Sequence, residues 1–312
     1  SVTLYTAKAA SQELYRRRIQ VLGELLAGRA GLIVASVDAL IPRLPPVEAF
    51  RQAILTIQAG RVYDLSKLAA FLSSAGYTRQ LPVETPGEFN IHGYILDIFP
   101  IGEEQPVRVE FFDEEVDTLR RFDPVTQRST ENLEAIRILP AIEMPLSPKM
   151  LQSGILALQQ QRREAVTQLR KRHTGQTAYR RTARPEEDIA EKLTHLVDSN
   201  IERLLTQGFY RGMENEIACF YPQSADLADY MKNPLILLDE PLHCRERCDN
   251  IALEFYRSLE SAEESGTVLP IHRTLVPEGN TWIQTYRSRD VVSLHTLTTQ
   301  DLLLPALVIP VD

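Results

Sequence analysis

The sequence predicts a multidomain protein of mixed α/β and α+β class, and three observations carry that expectation. Helical spacing and compact apolar runs alternate at both ends of the chain. The middle, from about residue 61 to 143, changes to short alternating runs separated by turn residues. At 312 residues and 44% apolar content, the chain is long enough for two or three domains with real cores.

Residues 1–60 read as part of an α/β unit. Tyr15, Ile19, Leu22 and Leu26 recur at helical spacing. The compact run Gly31-Leu32-Ile33-Val34-Ala35 suits a strand buried on both faces. Pro42, Pro45 and Pro46 break the pattern before a short helix over 47–53.

Residues 61–143 read as a small antiparallel sheet with one helix. Leu65, Leu68 and Leu72 mark the helix, and Gly76 stands where a left-handed terminator belongs. Strands are expected at 89–92, 94–99, 107–112, 115–122 and 135–139.

Residues 144–312 read as a second α/β unit with long helices. Leu151, Ile155, Leu158, Val166 and Leu169 predict a helix from about 148 to 172. It runs into the basic stretch Arg170-Lys171-Arg172-His173-Thr174-Gly175. Pro185 followed by Glu186, Glu187 and Asp188 starts another helix, with acids in the first turn where the helix dipole favours them. Strands are expected at 234–239 and 291–297, with a helix over 242–263 between them.

Charge and targeting narrow the function classes. The net charge is -8 and the pI near 5.4, which argues against duplex DNA binding as the main role. No apolar run approaches the roughly 18 residues of a membrane span. The start, Ser1-Val2-Thr3-Leu4-Tyr5, is no secretory signal and lacks an initiator Met, so a piece of a longer protein is expected. Three cysteines, Cys219, Cys244 and Cys248, suggest a reducing cytoplasm rather than a disulfide scaffold.

The chemistry of an enzyme is missing. The chain has no Gly-Lys pair and so no phosphate loop, and none of the common dinucleotide, zinc-protease or serine-hydrolase motifs. No catalytic residue and no cofactor is expected. Cys244 and Cys248, beside His243, sit four apart, but a fourth ligand is not evident, and ordinary helix residues are the better reading. Leu235-Ile236-Leu237-Leu238 ending in Asp239-Glu240 has the form of a Walker B strand, whose carboxylates would hold Mg²⁺. Without a phosphate cradle we read these two acids as vestigial; strand-end acids before Pro241 are the plainer alternative.

One long segment carries a resemblance. Residues 86–100 read Pro-Gly-Glu-Phe-Asn-Ile-His-Gly-Tyr-Ile-Leu-Asp-Ile-Phe-Pro. Residues 106–117 follow as Pro-Val-Arg-Val-Glu-Phe-Phe-Asp-Glu-Glu-Val-Asp, and residues 121–129 as Arg-Phe-Asp-Pro-Val-Thr-Gln-Arg-Ser. This resembles the UvrB interaction module shared by excinuclease subunit UvrB and the transcription-repair coupling factors (Mfd). The Phe122-Asp123-Pro124 to Ser129 ending, the run Ala35 to Leu40 with Pro42-Arg43-Leu44-Pro45-Pro46, and Gly212-Met213-Glu214-Asn215 look like the coupling factors. The resemblance implies a UvrB-like arrangement: a partial α/β subdomain of degenerate nucleotide-binding type (1–60), a UvrA-docking domain (61–143) and a second α/β subdomain (144–312). It implies recruitment of UvrA in transcription-coupled nucleotide excision repair. It also implies that RNA polymerase and double-stranded DNA are partners of the intact parent through domains not in this chain. Asp239 and Glu240 fall where the family's Walker B remnant sits.

Period two along 107–112 places Val107, Val109 and Phe111 on one face and Arg108, Glu110 and Phe112 on the other. An aromatic on a polar face beside an arginine is the composition of an interface anchor. The resemblance aligns Arg108 and Phe112 with residues that hold UvrA. The plainer alternative is that Phe112 packs under a loop and Arg108 pairs with Glu110 or Asp113. His92 stands where the family usually has arginine, and a shorter, mostly neutral ring cannot make a bidentate contact with a carboxylate. The acidic run Asp113-Glu114-Glu115 with Asp117 reads as a solvated turn or as carboxylates offered to a basic partner. The cluster Arg170, Lys171, Arg172, Arg180 and Arg181 is the best candidate for a DNA or interdomain contact, although a solvated helix end is the simpler reading. Two rival functions stay open: a piece of an active UvrB-like helicase, and a clamp that masks the docking face within the parent.

Overall fold

The computed structural model describes residues 12–29, 31–174 and 185–295. The chain opens with helix α1 (Gln12–Leu26), two short helices α2 (Val37–Leu40) and α3 (Val47–Gln52), and strand β1 (Leu55–Gln58). Helix α4 (Leu65–Ser74) follows. The Asp64 carboxylate caps it, accepting from the Ser66 and Lys67 amides at 2.9 and 3.1 Å. Gly76, at φ 88°, ends it in the left-handed conformation. A Cβ there would lie 2.4 Å from Ile142 Cγ2, so space and backbone both require glycine.

The central sheet has six strands in the order β2-β3-β4-β5-β6-β7. These are β2 (Thr78–Arg79), β3 (Glu88–His92), β4 (Ile95–Ile98), β5 (Val107–Phe112), β6 (Glu115–Phe122) and β7 (Ser129–Leu133). The first pair is parallel and the rest are antiparallel. Strand β8 (Ala135–Ile138) leaves this sheet and pairs with β1 instead, Ile57 opposite Ile136.

Long helices α5 (Pro148–Thr174) and α6 (Pro185–Gln207) pack together, followed by the short α7 (Ile217–Phe220). Strand β9 (Ile236–Asp239), helix α8 (Pro241–Glu264), helix α9 (Gly279–Gln284) and strand β10 (Val291–Leu294) complete the described chain. β9 and β10 run parallel.

Three apolar cores hold these elements. The first joins Ile19 and Leu22 of α1, Phe50, Ile57 and Leu72 to the inner face of the central sheet and to β8. The second gathers Ile41, Leu238, Phe255, Leu259 and Trp282 around α8. The third lies between α5, α6 and α7. The first core continues from α1 through the sheet, so the sheet's inner side is covered and its outer side is left for other work.

Three expectations differ from the structure. Residues 31–35 form no strand; Leu32 is 84% and Val34 90% exposed. Among the described residues no strand lies beside them, and a lone extended segment gains neither backbone partners nor cover. The strand at 135–139 belongs to a second small sheet, because its apolar partners lie on β1, too short a run to be recognised. β7 was also unexpected: it is polar and exposed at four of five positions and is held by edge pairing to β6 rather than by an apolar face.

Candidate protein-docking face

Residues opposite each other in antiparallel strands share a face. The register therefore assembles the outer side of the sheet row by row. Asn90, Asp97, Arg108, Arg120 and Asn132 form one row across β3 to β7. His92, Ile95, Glu110 and Thr118 form the next. Phe112, paired with Glu115, lies beyond. Behind them Val107, Val109 and Phe111 are buried in the first core. The structure thus brings Arg108, Glu110, Phe112 and His92 onto one surface.

Arg108 is held from two sides. Its Nε and Nη2 donate to the two carboxylate oxygens of Asp97 at 2.7 and 2.8 Å. Nη2 also donates to Gln127 Oε1 at 3.2 Å. Its guanidinium carbon sits 4.8 Å from the centroid of the buried Phe122 ring. The hydrogen bonds to Asp97 raise its pKa above the ordinary arginine value. Asp97, not Glu110 or Asp113, is therefore the counter-ion of Arg108, because Asp97 stands directly opposite on β4. Nη1 has no hydrogen-bond partner among the described residues and is left for a further acceptor.

The Asp123 to Gln127 turn explains its own sequence. The Asp123 carboxylate accepts from the Val125 and Thr126 amides at 3.0 and 2.6 Å and from the Thr126 hydroxyl at 3.0 Å. The Thr126 bonds hold that carboxyl below the usual range. Gln127 takes a left-handed φ of 59°, and its Nε2 donates to the Pro124 carbonyl at 2.8 Å. The turn aims Gln127 Oε1 at Arg108.

Glu110 is neutralised within the sheet. Thr118 Oγ1 donates to it at 2.9 Å and Arg120 Nη2 forms a close ion pair with it. Partial burial pushes its carboxyl up, but the Thr118 and Arg120 contacts outweigh that and leave it below the usual glutamate value.

Phe112 is different. It is 81% exposed, at the end of β5, next to the left-handed Asp113 of the β5–β6 turn. No loop among the described residues covers it. His92 is also exposed, its Nδ1 3.4 Å from Asn90 Nδ2.

Asp239 and Glu240 lie elsewhere, at the end of β9 in the second core's sheet. Glu240, at φ 49°, precedes Pro241 at the start of α8, and its amide donates to the Leu294 carbonyl at 2.9 Å. Cys244 Sγ donates to the Asp239 carbonyl at 3.2 Å, and Cys248 Sγ contacts the Pro277 carbonyl at 3.5 Å. Burial pushes the Cys248 thiol up to about 11. Arg170 and Lys171 lie near the end of α5, both exposed. The side chain of Arg172, together with Arg180 and Arg181, lies outside the described residues. Arg162, from the same basic region, is tied to Asp198. No helix among the described residues is long and apolar enough to cross a membrane.

Sequence reasoning missed Asp97 and Gln127. A single acid inside the apolar run Ile95-Leu96-Asp97-Ile98-Phe99 was the available signal, since a buried carboxylate needs a cation opposite it.

Residues 55–144 match the UvrB interaction domain family. The chain is 33% identical over 265 residues to the transcription-repair-coupling factor of Bacillus subtilis strain 168, covering 83% of this chain and 21% of that protein. It is 27% identical over 274 residues to that of Haemophilus influenzae, covering 88% and 21%. It is 36% identical over 141 residues to that of Escherichia coli K12, covering 45% and 12%. The chain spans about a fifth of the length of the first two of these curated relatives.

Proposed function

We propose that this chain, whose residues 55–144 match the UvrB interaction domain family and which is similar over most of its length to the transcription-repair coupling factors, recruits UvrA. The reading rests above all on Phe112, a large ring left 81% exposed on a face where Arg108 pairs with Asp97 and Glu110 with Arg120. Buried Asp97 fixes the Arg108 guanidinium in place, so little freedom is lost when Nη1 meets an acceptor on the partner. Glu110 and Arg120 form the polar surround, and His92 lies at the far side.

Recruitment by shape needs no bond-making, and the sequence offers no phosphate loop. Asp239 and Glu240 are then remnants of a Walker B strand, and the chain is a binding region rather than an enzyme. We take the docking unit as 61–143 together with β1, following a partial α/β unit and preceding a second one from residue 144. In the intact protein, RNA polymerase and double-stranded DNA would be engaged by other domains, and Arg170, Lys171, Arg172, Arg180 and Arg181 would meet DNA or a neighbouring domain. Three unpaired thiols fit a reducing cytoplasm.

Co-elution with UvrA in size-exclusion chromatography tests the reading. The wild-type chain comigrates with UvrA and the Phe112→Ala chain does not. Separate elution of the wild type would end it.

A further inference from the structure

The outer face continues beyond Phe112 in a direction that no motif marks. Phe112 pairs with Glu115 on β6, and Glu115 pairs in turn with Val62, which lies outside any named strand. The three therefore occupy one row on one face, with Val62 about 10 Å from Phe112, two strand spacings away. Val62 is 66% exposed and Phe112 81%. Single exposed apolar side chains are ordinary, but two in register with a carboxylate between them form a patch.

The backbone that carries Val62 is fixed. The Tyr63 amide donates to the Glu114 carbonyl at 2.8 Å, the Val116 amide to the Arg61 carbonyl at 2.9 Å, and the Gly60 amide to the Val116 carbonyl at 2.8 Å. The Tyr63 hydroxyl donates to the Thr56 carbonyl at 3.1 Å and accepts from the Gln58 amide at 3.2 Å, tying the segment back to β1. Val62 is thus held out on a rigid edge.

Charge gives the patch its polarity. Asp113, Glu114, Glu115 and Asp117 are all exposed, and none makes an ion pair among the described residues. The pairing used elsewhere on this sheet, Asp97 with Arg108 and Glu110 with Arg120, stops at this row.

We propose that the UvrA footprint extends past β5 across this row, with Val62 as a second apolar contact and Glu115 receiving a basic side chain of UvrA between Val62 and Phe112. This rests on the reading that the chain docks UvrA. The matching surface is two apolar spots separated by a lysine or arginine, a pattern that fixes the rotation of one protein on the other.

Titration of the whole chain with UvrA by calorimetry tests this, using Val62→Ser, Val62→Leu and Glu115→Arg, with Phe112→Ala as the control on the reading itself. Val62→Ser weakens binding about fivefold or more, Glu115→Arg about tenfold or more, and Val62→Leu stays within about twofold. Unchanged melting curves exclude unfolding as the cause. If Val62→Ser and Glu115→Arg bind like wild type while Phe112→Ala does not, the footprint ends at β5 and the inference is wrong while UvrA docking stands. If the wild-type chain does not bind, docking and inference fall together.

Discussion

Asp97 and Arg108 face each other across β4 and β5 with both carboxylate oxygens engaged, at 2.7 and 2.8 Å. The aspartate side chain is 5% exposed and the arginine 21%. The pair fixes the guanidinium on the outer face of the sheet and also makes the sheet depend on it. Removing one partner leaves the other charge stranded in a poorly solvated place, which is worse than removing both. Asp97→Ala is expected to destabilise the chain by about 2–3 kcal/mol, with Asp97→Ala/Arg108→Ala less destabilising than the sum of the single changes. Urea unfolding of the three variants checks this; additive effects would show that the pair is not coupled.

Neighbouring phenylalanines separate packing from docking. Phe111 is 7% exposed and Phe112 81%. Phe111→Ala should lower stability by about 3–5 kcal/mol. Phe112→Ala should change it by less than about 0.5 kcal/mol. Thermal melts of both variants decide it.

Glu110 sets part of the acid limit of the fold. Its folded-state pKa lies below the unfolded value, so the Thr118 and Arg120 contacts contribute stability above the ordinary glutamate value of about 4.3. That contribution is lost as pH falls through the depressed folded value. Between about pH 5 and pH 3 the wild-type urea midpoint should therefore fall more steeply than that of Glu110→Gln. Parallel pH curves would show that the pairing carries no net stability.

Gly76 is required twice over, by its φ of 88° and by Ile142, whose Cγ2 lies 2.4 Å from where an alanine Cβ would sit. Gly76→Ala should destabilise by more than about 1 kcal/mol, in contrast to helix-interior glycines, where the same change stabilises. A midpoint unchanged in urea would contradict this.

Much of the sheet was legible because its strands alternate strongly and its turns carry glycine or acid. The strands at 89–92, 107–112 and 115–122 lie close to where period two places them. The split of β5 into an inner Val107-Val109-Phe111 face and an outer Arg108-Glu110-Phe112 face follows from the same period. What one strand cannot reveal is the neighbour that each side chain meets. Asp97 became the partner of Arg108 through register, and Val62 joined the row of Phe112 through a single bridge to Glu115 from a distant part of the chain. Leu32 and Val34 misled because an apolar run predicts burial only if something pairs with it.

His92 offers a test by gain. An arginine there would reach further and could grip a carboxylate with two hydrogen bonds. On an exposed strand end this should leave folding unchanged while tightening UvrA binding by about 1 kcal/mol. Binding no tighter in His92→Arg would remove position 92 from the interface.

The most direct test of the central claim is calorimetric titration of the chain with UvrA, for wild type, Arg108→Ala and Phe112→Ala. The account predicts binding by wild type and a loss of about 2 kcal/mol or more in each variant. Equal binding by all three would contradict it and move the docking site off this face.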